Sequence, residues 1–439
     1  MKRVLIVSPR FPPINAADHQ RVRMMLPTLA EHGWQAVVLA VDPEFVEGPL
    51  EPDLLLTIPS DAQVVRCRAV SPRLTRRAGI GSLALRSIRS LGSAGDHLLR
   101  RASFDLVFFS TTEFGVLPLG RRWKRKFGTP FVIDLQDPWV NSHYAETGQR
   151  PPGGEFKHRV TQAVAGFLEG RTLREAAHIV SVSPRYPEVL RRRYPDLVDT
   201  RFSVIPFGGS REDFEVARAT EASQSIFSPG DGRRHWLYAG TAPPGIRNAL
   251  TGLLLAFKRA IESGIVEPGS TVLHFVGTDY ALAAHARERV APIARELGMG
   301  SSVAEHPARI AYFQTLRCLR DADALLVLGW DDPGYTASKI YPYILAERPL
   351  LSVLHEDSSA NDVIRRTGSG VGVSFNGGSA TGEIAERIFE QWFVSRAFDK
   401  VPATRWDEFA PYTAETMTKR VAEVFDRVSS DKSLRRNVT

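Results

Sequence analysis

The sequence is poor in cysteine and has no long hydrophobic run. Two cysteines, Cys67 and Cys318, occur in 439 residues, which excludes a disulfide scaffold and a thiolate zinc cluster. No stretch approaches the ~20 consecutive apolar residues that a membrane-spanning helix needs. The apolar run at residues 4–7 is too short for the core of a signal peptide and indicates a buried strand. We therefore expect a cytoplasmic protein.

Acidic residues are scarce in the first half of the chain. The formal net charge is +7. Residues 1–206 contain 29 Lys and Arg against 20 Asp and Glu, whereas the remainder contains 27 against 29. Residues 66–101 hold nine arginines and a single acid, Asp96. Such a segment is either a solvated face or a contact for an anionic membrane or acceptor. The arginines predicted to make that contact are Arg73, Arg76, Arg77, Arg86 and Arg89. Nucleic acid is a weaker alternative, because few aromatic residues are interleaved to stack on bases.

Several motifs of cofactor and catalytic chemistry are missing. The loop at residues 8–18, after the first strand, has no glycine, so the pyrophosphate of NAD could not approach its backbone and a nicotinamide oxidoreductase is excluded. The chain also lacks the His-Glu-x-x-His, Gly-x-Ser-x-Gly and Walker lysine motifs. Zinc proteases, α/β-hydrolases and P-loop enzymes are excluded on the same grounds.

Short apolar runs alternate with stretches of helical period along the chain. The predicted strands cover residues 3–8, 35–41, 105–109, 130–135, 178–182, 235–239, 271–276, 324–328, 349–353 and 371–375. Because these runs are apolar throughout, they indicate parallel strands that are covered by helices on both faces, as in a doubly wound α/β fold. The pattern pauses at residues 206–234, which predicts two domains, 1–206 and 207–403. A ligand cleft is expected between the carboxyl ends of their sheets.

The segment 331–342 is the most informative stretch. A strand ends there, a Pro-Gly turn follows, and Thr336 or Ser338 can cap a new helix. Free backbone N–H groups at that point and the charge of Lys339 favour an anion. A lysine is unusual here, since the chain has 47 arginines and nine lysines. The alternative is a capped helix with a solvated lysine.

These features, in this order, resemble the bacterial family-4-like group of GT-B nucleotide-sugar glycosyltransferases. The matching segments are residues 4–13, 21–33, 36–39, 132–139, 204–208, 238–241, 275–277, 322–326, 338–343 and 348–349. The resemblance implies two Rossmann-like α/β domains that face each other across a cleft. The N-terminal domain would take the acceptor and the C-terminal domain the donor. A C-terminal helix near residues 404–429 would cross back onto the first domain.

The resemblance also implies a function in glycan biosynthesis. A sugar would pass from a nucleotide-diphosphate donor to the hydroxyl of a glycan, a lipid-linked or a small-molecule acceptor, with retention and without a metal ion or other cofactor. The protein would be cytoplasmic, with a peripheral contact at the inner face of the cell membrane. The predicted catalytic residues are Asp137, Arg247 and Lys339. The predicted donor-binding residues are Gly240, Thr241, Arg247, Gly277, His306, Ile310, Tyr335, Thr336, Ser338 and Lys339. The predicted acceptor-side residues are Asn15, His19 and Asp137, with a structural cap as the alternative role for Asp137.

One departure from the family pattern affects the donor site. The family usually carries two glutamates separated by seven residues, and the register of Lys339 places Gly334 and Pro342 at those positions. The glycines usual in the first loop are replaced at residues 15–17. Donor binding must therefore differ from the family pattern. Two alternatives stay open: a nucleotide-sugar-binding protein without transferase activity, and a nucleotide-sugar epimerase.

Overall fold

A computed structural model describes residues 1–76, 81–140, 155–198, 201–220, 222–281, 283–331 and 337–431. The chain divides into two compact units. The first unit comprises residues 1–208 and 414–439, and the second comprises residues 209–413. Among the described residues, no helix is both long and apolar enough to span a membrane.

The first unit is built on a parallel sheet, with seven strands in the described part of the chain. These strands are β1 (Lys2–Val7), β2 (Trp34–Val41), β3 (Gln63–Cys67), β4 (Leu106–Ser110), β5 (Phe131–Leu135), β6 (His178–Ser181) and β7 (Phe202–Val204). Their order is β3-β2-β1-β4-β5-β6-β7. The order reverses between β1 and β4. In doubly wound sheets, ligands bind outside the carboxyl ends of the strands at such a reversal.

The second unit repeats this plan with six strands among its described residues. They are β8 (Arg234–Ala239), β9 (Thr271–Val276), β10 (Val303–His306), β11 (Ala324–Leu328), β12 (Leu350–His355) and β13 (Val371–Phe375). Their order is β10-β9-β8-β11-β12-β13, and all neighbouring pairs are parallel. The reversal lies between β8 and β11. The fold class predicted from the sequence, two doubly wound α/β units, is confirmed.

Helices connect the strands and cover both faces of each sheet. In chain order they are α1 (Gln20–Leu29), α2 (Pro72–Arg76), α3 (Leu83–Arg101), α4 (Pro118–Phe127), α5 (Glu155–Glu175), α6 (Arg185–Arg193), α7 (Arg211–Ala219), α8 (Arg247–Glu262), α9 (Ala291–Glu296), α10 (Tyr312–Asp321), α11 (Ile340–Leu345), α12 (Ser359–Thr367), α13 (Thr381–Ile388), α14 (Trp406–Phe409) and α15 (Ala414–Ser430). Strand β1 shows how one strand serves two cores. Val4 and Ile6 face one cluster, and Leu5 and Val7 face the other, as the two-residue period of a strand requires.

The C-terminal helix α15 packs on the first unit. Its Phe425 ring lies 5.3 Å from Trp34 and 5.0 Å from Phe108, in edge-to-face contact. The expected continuous helix over residues 404–429 is wrong at its start. Helix α14 is a separate element of the second unit, and the chain turns at Ala410–Tyr412. Pro411 in that turn has no N–H to continue the hydrogen-bond ladder of a helix.

The helical period of residues 280–297 predicts one helix, but the described residues form a short 3-10 helix at Ala283–His285 and then α9. The backbone N–H groups of the preceding segment are taken by two carboxylates. Asp279 accepts from Ala281 and Arg287. Glu305 accepts from the N–H groups at residues 289–291. These side chains satisfy donors that a helix would have satisfied internally.

Candidate functional site

At the reversal of the second sheet, Lys339 lies against Gly240. Gly240 directly follows β8, and Lys339 follows β11 and immediately precedes α11. Gly240 has φ +141°, and a Cβ added there would lie 2.6 Å from Lys339 Nζ. Glycine is therefore suited to this position by its backbone conformation and by the room that it leaves for the ammonium.

Two tyrosines fix the chain around this contact. The Tyr238 hydroxyl donates to the carbonyl of Thr241 at 2.6 Å, and its ring centre lies 4.1 Å from Lys339 Nζ. The Tyr343 hydroxyl, on α11, accepts from the N–H of Ala239 at 2.7 Å and donates to its carbonyl at 3.1 Å. These bonds tie the end of β8 to the helix that follows Lys339. Both tyrosines lie in segments that match the family pattern, but neither was predicted as a site residue.

The ammonium of Lys339 lacks a counter-charge. No carboxylate of a described residue forms an ion pair with it. The surrounding protein desolvates the group, which lowers the pKa of Lys339 to about 7. Burial disfavours the charged form, and a bound anion would restore it. The arrangement is suited to binding a diphosphate or another anion.

Two further residues predicted to bind the donor meet at the neighbouring strands. The N–H of Gly277, after β9, donates to the carbonyl of His306, at the end of β10, at 2.8 Å. His306 is half-buried, and desolvation lowers its pKa, opposed by the charge of Glu305. Ile310 is half-buried on the loop that follows. These residues lie at the same carboxyl edge as Gly240.

Arg247 does not join this group. Its guanidinium pairs with Glu296 at 2.7 Å, and 61% of its side chain is exposed. It lines an open cavity of about 430 Å³ with residues of α8, α9 and α13. No contact links it to Lys339 among the described residues, and its predicted role at the donor diphosphate stays a prediction. Ser338 is exposed, and Tyr335 and Thr336 lie outside the described residues.

A polar cluster occupies the corresponding reversal in the first sheet. Asp18, two residues before α1, accepts from the Thr111 hydroxyl at 2.9 Å and from the N–H of Thr112 at 3.3 Å. Arg10, after β1, pairs with Glu113, after β4, at 2.5 Å. The loops that follow β1 and β4 are thereby joined. Asp18 is 2% exposed.

A buried ion pair lies next to this cluster and is linked to it by hydrogen bonds. Arg21 donates from Nε to Asp134 at 2.8 Å, and both side chains are fully buried. Gln136 donates to Asp134 at 2.9 Å and to the carbonyl of Asp18 at 3.0 Å. Such a network fixes the ends of β5 and α1 relative to each other. Breaking a buried pair typically costs about 3–5 kcal/mol.

Asp137 lies beside this cluster with an exposed side chain. Desolvation by the surrounding protein, followed by the negative charge of Asp18, raises the pKa of Asp137 to about 6. No hydrogen bond holds its carboxyl group to another described residue. The alternative role of Asp137 as a structural cap therefore has no contact to support it.

Asn15 and His19 serve the structure of their own loop. Asn15 is buried and donates to Glu51 at 2.7 Å. The ring of His19 is buried, and its Nε2 lies 2.9 Å from the carbonyl of Ile14 and 3.2 Å from the N–H of Ala16. These bonds shape the loop that presents Asp18. Neither side chain is positioned on the surface of the cluster.

In the described part of the chain, no group of three or more His, Cys, Asp or Glu side chains is arranged to hold a metal ion. Each unit therefore carries its own candidate site at the carboxyl edge of its sheet. The second unit offers the ammonium of Lys339, which has no counter-ion among the described residues. The first unit offers carboxylates.

Comparison with known families assigns the first unit. The model of the family described as "Glycosyl transferase 4-like domain" matches residues 19–208, which end where the N-terminal part of that unit ends. Residues 19–208 are therefore similar to this domain family. The glycosyltransferase class predicted for the enzyme is confirmed by this match.

Solved structures extend the likeness to both units. Anabaena HepE in complex with UDP and glucose is 14% identical, with a TM-score of 0.61 over 97% of this chain and 100% of that chain. Sucrose-phosphate synthase from Thermosynechococcus elongatus is 13% identical, with a TM-score of 0.60 over 98% and 99%. The N-terminal domain of Candida albicans trehalose-6-phosphate phosphatase is 13% identical, with a TM-score of 0.65 over 98% and 97%. At these identities the likeness establishes the fold alone, which is GT-B. A comparison with curated protein sequences found no match.

Several arginines of the basic segment, residues 66–101, make contacts within the first unit. Arg86 is buried and donates to the carbonyls of Phe45 and Val70, so its predicted surface contact is wrong. Asp96 pairs with three cations, Arg100, Arg122 and Lys126. Arg73 and Arg89 remain exposed. Arg77 and the side chain of Arg76 lie outside the described residues.

Proposed function

We propose that the protein transfers a sugar from a nucleotide-diphosphate donor to the hydroxyl of an acceptor, with retention of configuration and without a metal ion. The observation that carries this proposal is the ammonium of Lys339, which lies without a counter-charge against Gly240 at the reversal of the second sheet. A diphosphate is an anion of the charge and size that such a point cation suits. The complex of HepE with UDP and glucose supports a nucleotide sugar as the donor.

In this mechanism, the second unit stabilises the departing diphosphate. Negative charge grows on the phosphate as the bond to the sugar breaks, and Lys339 is placed to balance it. A preorganised cation in a desolvated site stabilises this growing negative charge more strongly than the same cation would in water. Backbone groups at Gly240 and Thr241 contribute further dipoles. We assign this step to Lys339 rather than to Arg247, because the exposed Arg247 guanidinium pairs with Glu296.

The first unit contributes Asp137, which contacts the acceptor hydroxyl or the transferred sugar. Its pKa of about 6 leaves the carboxyl group largely ionised at neutral pH, so that it can accept a hydrogen bond. Retention follows if the acceptor attacks on the face that the diphosphate leaves, with the leaving phosphate taking the acceptor proton. Lys339 supports this step by keeping the phosphate close to the reacting carbon.

A thermal-shift screen of nucleoside diphosphates and nucleotide sugars tests the donor class. A ligand at 100 times its Kd stabilises the folded state by about 2.7 kcal/mol. The ligand that binds is then incubated with a panel of acceptors, with and without EDTA, and the anomer of the product is read by NMR. Rearrangement of the sugar without an acceptor would identify an epimerase. Binding without any turnover would identify a nucleotide-sugar-binding protein.

We also propose that the first unit makes a peripheral contact with an anionic membrane. The exposed arginines Arg73 and Arg89 lie on α2 and α3, next to the leucines Leu74 and Leu85, which are 72% and 63% exposed. Leucine side chains left in water beside cations are suited to the interface of a bilayer, where apolar groups enter and cations meet lipid phosphate. A lipid-linked acceptor would be reached from this position.

A further inference from the structure

Two histidines of the second unit form a buried pair that the proposed sugar transfer does not use. His235 on β8 and His274 on β9 lie on neighbouring parallel strands, and both side chains are buried. His235 Nδ1 and His274 Nε2 are 3.0 Å apart, which is a hydrogen-bond distance. Leu273 and Phe275, on either side of His274, face the apolar core, so His274 faces the opposite side of the sheet.

The hydrogen bonds of this histidine pair assign its protons. His235 Nε2 lies 3.1 Å from Asp231 Oδ1. The hydrogen bond from Arg233 lowers the pKa of Asp231 to about 2, so the carboxylate is ionised and His235 donates to it from Nε2. His235 Nδ1 is then an acceptor, and His274 donates to it from Nε2. The neutral pair thereby satisfies both of its N–H groups.

A further proton does not fit this arrangement. The remaining nitrogen, His274 Nδ1, is buried and has no hydrogen-bond partner among the described residues. A proton there would create a buried cation whose N–H has no acceptor. Burial, and then the neighbouring His235, lower the pKa of His274 to about 3 from the ordinary 6.5. The packed pair therefore excludes a proton that a histidine in water would bind.

The charged groups around the pair do not favour a protonated His274. Asp231 attracts the proton, but it is bound to Arg233 and His235. His306 on β10 and Arg233 repel it. The other charged groups on the elements around the pair are Asp323, which accepts from the backbone N–H of His235, Glu305, which accepts from backbone N–H groups before α9, Asp321 and Arg317 of α10, which pair with each other, and the exposed Arg320.

The ring of Phe227 covers both histidines. Its centre lies 4.7 Å from that of His235, with 15° between the planes, and 5.0 Å from that of His274. Phe227 belongs to residues 222–233, here called the covering segment, which contains no helix or strand. It is the one buried residue of the covering segment. A segment that is held by so few buried contacts opens locally at a low cost in free energy.

We propose that the histidine pair and the covering segment form a pH-sensitive switch, in which acid opens the covering segment because a protonated His274 cannot stay beneath Phe227. The closed form binds fewer protons than the open form, in which water reaches the histidines. Opening therefore increases as the pH falls below the ordinary histidine value of 6.5, and it is small above pH 7. The inference is independent of the proposed sugar transfer.

The thiol of Cys318 reports the opening. Cys318 is buried, and its Sγ lies 3.9 Å from the side-chain oxygen of Gln224 in the covering segment. Cys67→Ser removes the other cysteine and gives the reference protein. The reaction of the full chain with 4,4′-dithiodipyridine is measured at pH 7 and pH 5, and each rate is divided by that of N-acetylcysteine at the same pH. This relative rate should rise about 25-fold from pH 7 to pH 5, as the pKa of His274 in the two forms requires.

Three variants of the reference protein connect this rise to the switch. His274→Gln keeps an N–H for His235 but does not titrate, so its relative rate should change less than about threefold. His285→Gln, which changes an exposed histidine of the same unit, is the matched control and should keep the full rise. Phe227→Ala removes the cover, and its Cys318 should react at pH 7 at least as fast as that of the reference protein at pH 5.

Three results would overturn the inference. The first is a relative rate in the reference protein that does not change between pH 7 and pH 5. The second is a rise in His274→Gln as large as in the reference protein, since His274 would then not be the group that titrates. The third is a slow reaction of Phe227→Ala at pH 7, which would show that the covering segment does not protect Cys318.

Discussion

The ammonium of Lys339 lies 4.1 Å from the centre of the Tyr238 ring. The aromatic face attracts the cation and offsets part of its desolvation, by about 0.5–2 kcal/mol. The attraction does not offset the whole cost of desolvation, since the pKa of Lys339 is still lowered to about 7. The free protein therefore holds a cation that is close to losing its proton, and the arrival of a diphosphate would fix the charge.

Lys339→Ala should lower turnover about 10²–10³-fold, with a smaller effect on ground-state binding of the donor. The diphosphate is already charged before reaction, and the loss is greatest where charge grows. Lys339→Arg should recover little, because a planar guanidinium does not replace a point charge in the space left by Gly240. Turnover and donor Kd are measured for the three proteins side by side.

Lys258→Ala is the matched control for this series. Lys258 lies on α8 in the same unit and is exposed, with a long contact of 3.5 Å to the carbonyl of Leu297. Its loss should leave turnover and melting temperature unchanged. Near-normal turnover of Lys339→Ala with an intact fold would remove Lys339 from the anion site.

Binding of UDP should take up a proton at pH 8. With a pKa of about 7, Lys339 is largely neutral at that pH in the free protein, and the bound anion raises the pKa. The affinity should therefore fall as pH rises above 7, by up to about tenfold per pH unit. Calorimetry in buffers of different ionisation enthalpy measures the uptake, which we expect to approach about one proton per site. Lys339→Met should bind weakly and take up none.

The sequence predicted the strands that are buried on both faces much better than those at the sheet edges. The predictions missed β3, β7 and β10, which all lie at or next to a sheet edge and are half-buried along their length. An edge strand needs fewer apolar residues, so its signal resembles that of a loop. The interior strands β9 and β11 were predicted with the bounds that the structure has, and so was β13, which lies at the edge of the second sheet.

The candidate site was partly visible in the sequence. Lys339 and Gly240 follow predicted strands. The sequence next to a residue is enough to predict that it follows a strand. The pairing of Arg247 with Glu296 could not be predicted, because the two residues lie 49 positions apart in the sequence. The hydrogen bonds of Asp18 could not be predicted either, since they join it to threonines 93 and 94 residues along the chain. Pairings of this kind exist only in the folded structure.

Asp137→Asn should raise stability and lower transfer activity. The pKa of Asp137 is raised to about 6 from the ordinary 3.8, so the folded state holds this proton more tightly than the unfolded state. Stability is therefore lost as pH rises from about 4 to 6, and the loss persists above pH 6. The amide stays neutral. The variant should melt above the wild type at pH 8, with a difference that shrinks toward pH 4. An equal offset at both pH values would show that the charge is not the cause.

Arg73 and Arg89 remain exposed in the first unit. At low salt they should bind the protein to vesicles that contain anionic lipid. Each basic residue near such a surface contributes about 1 kcal/mol. The double variant Arg73→Ser/Arg89→Ser should therefore bind about 30-fold more weakly. Raising the salt should weaken binding of the wild type, because the Debye length falls to ~3 Å at 1 M.

Exposed leucines should add a contribution that salt does not remove. Leu74→Ser and Leu85→Ser should reduce the binding that persists at high salt, since burial of apolar surface is not screened. The control is Arg185→Ser/Arg192→Ser on α6, where two arginines are also exposed in the first unit and equal charge is lost. Sedimentation with neutral and anionic vesicles measures the wild type and all of these variants together. Equal binding to neutral vesicles, or equal loss in the α6 control, would show that the contact does not depend on this pair of arginines.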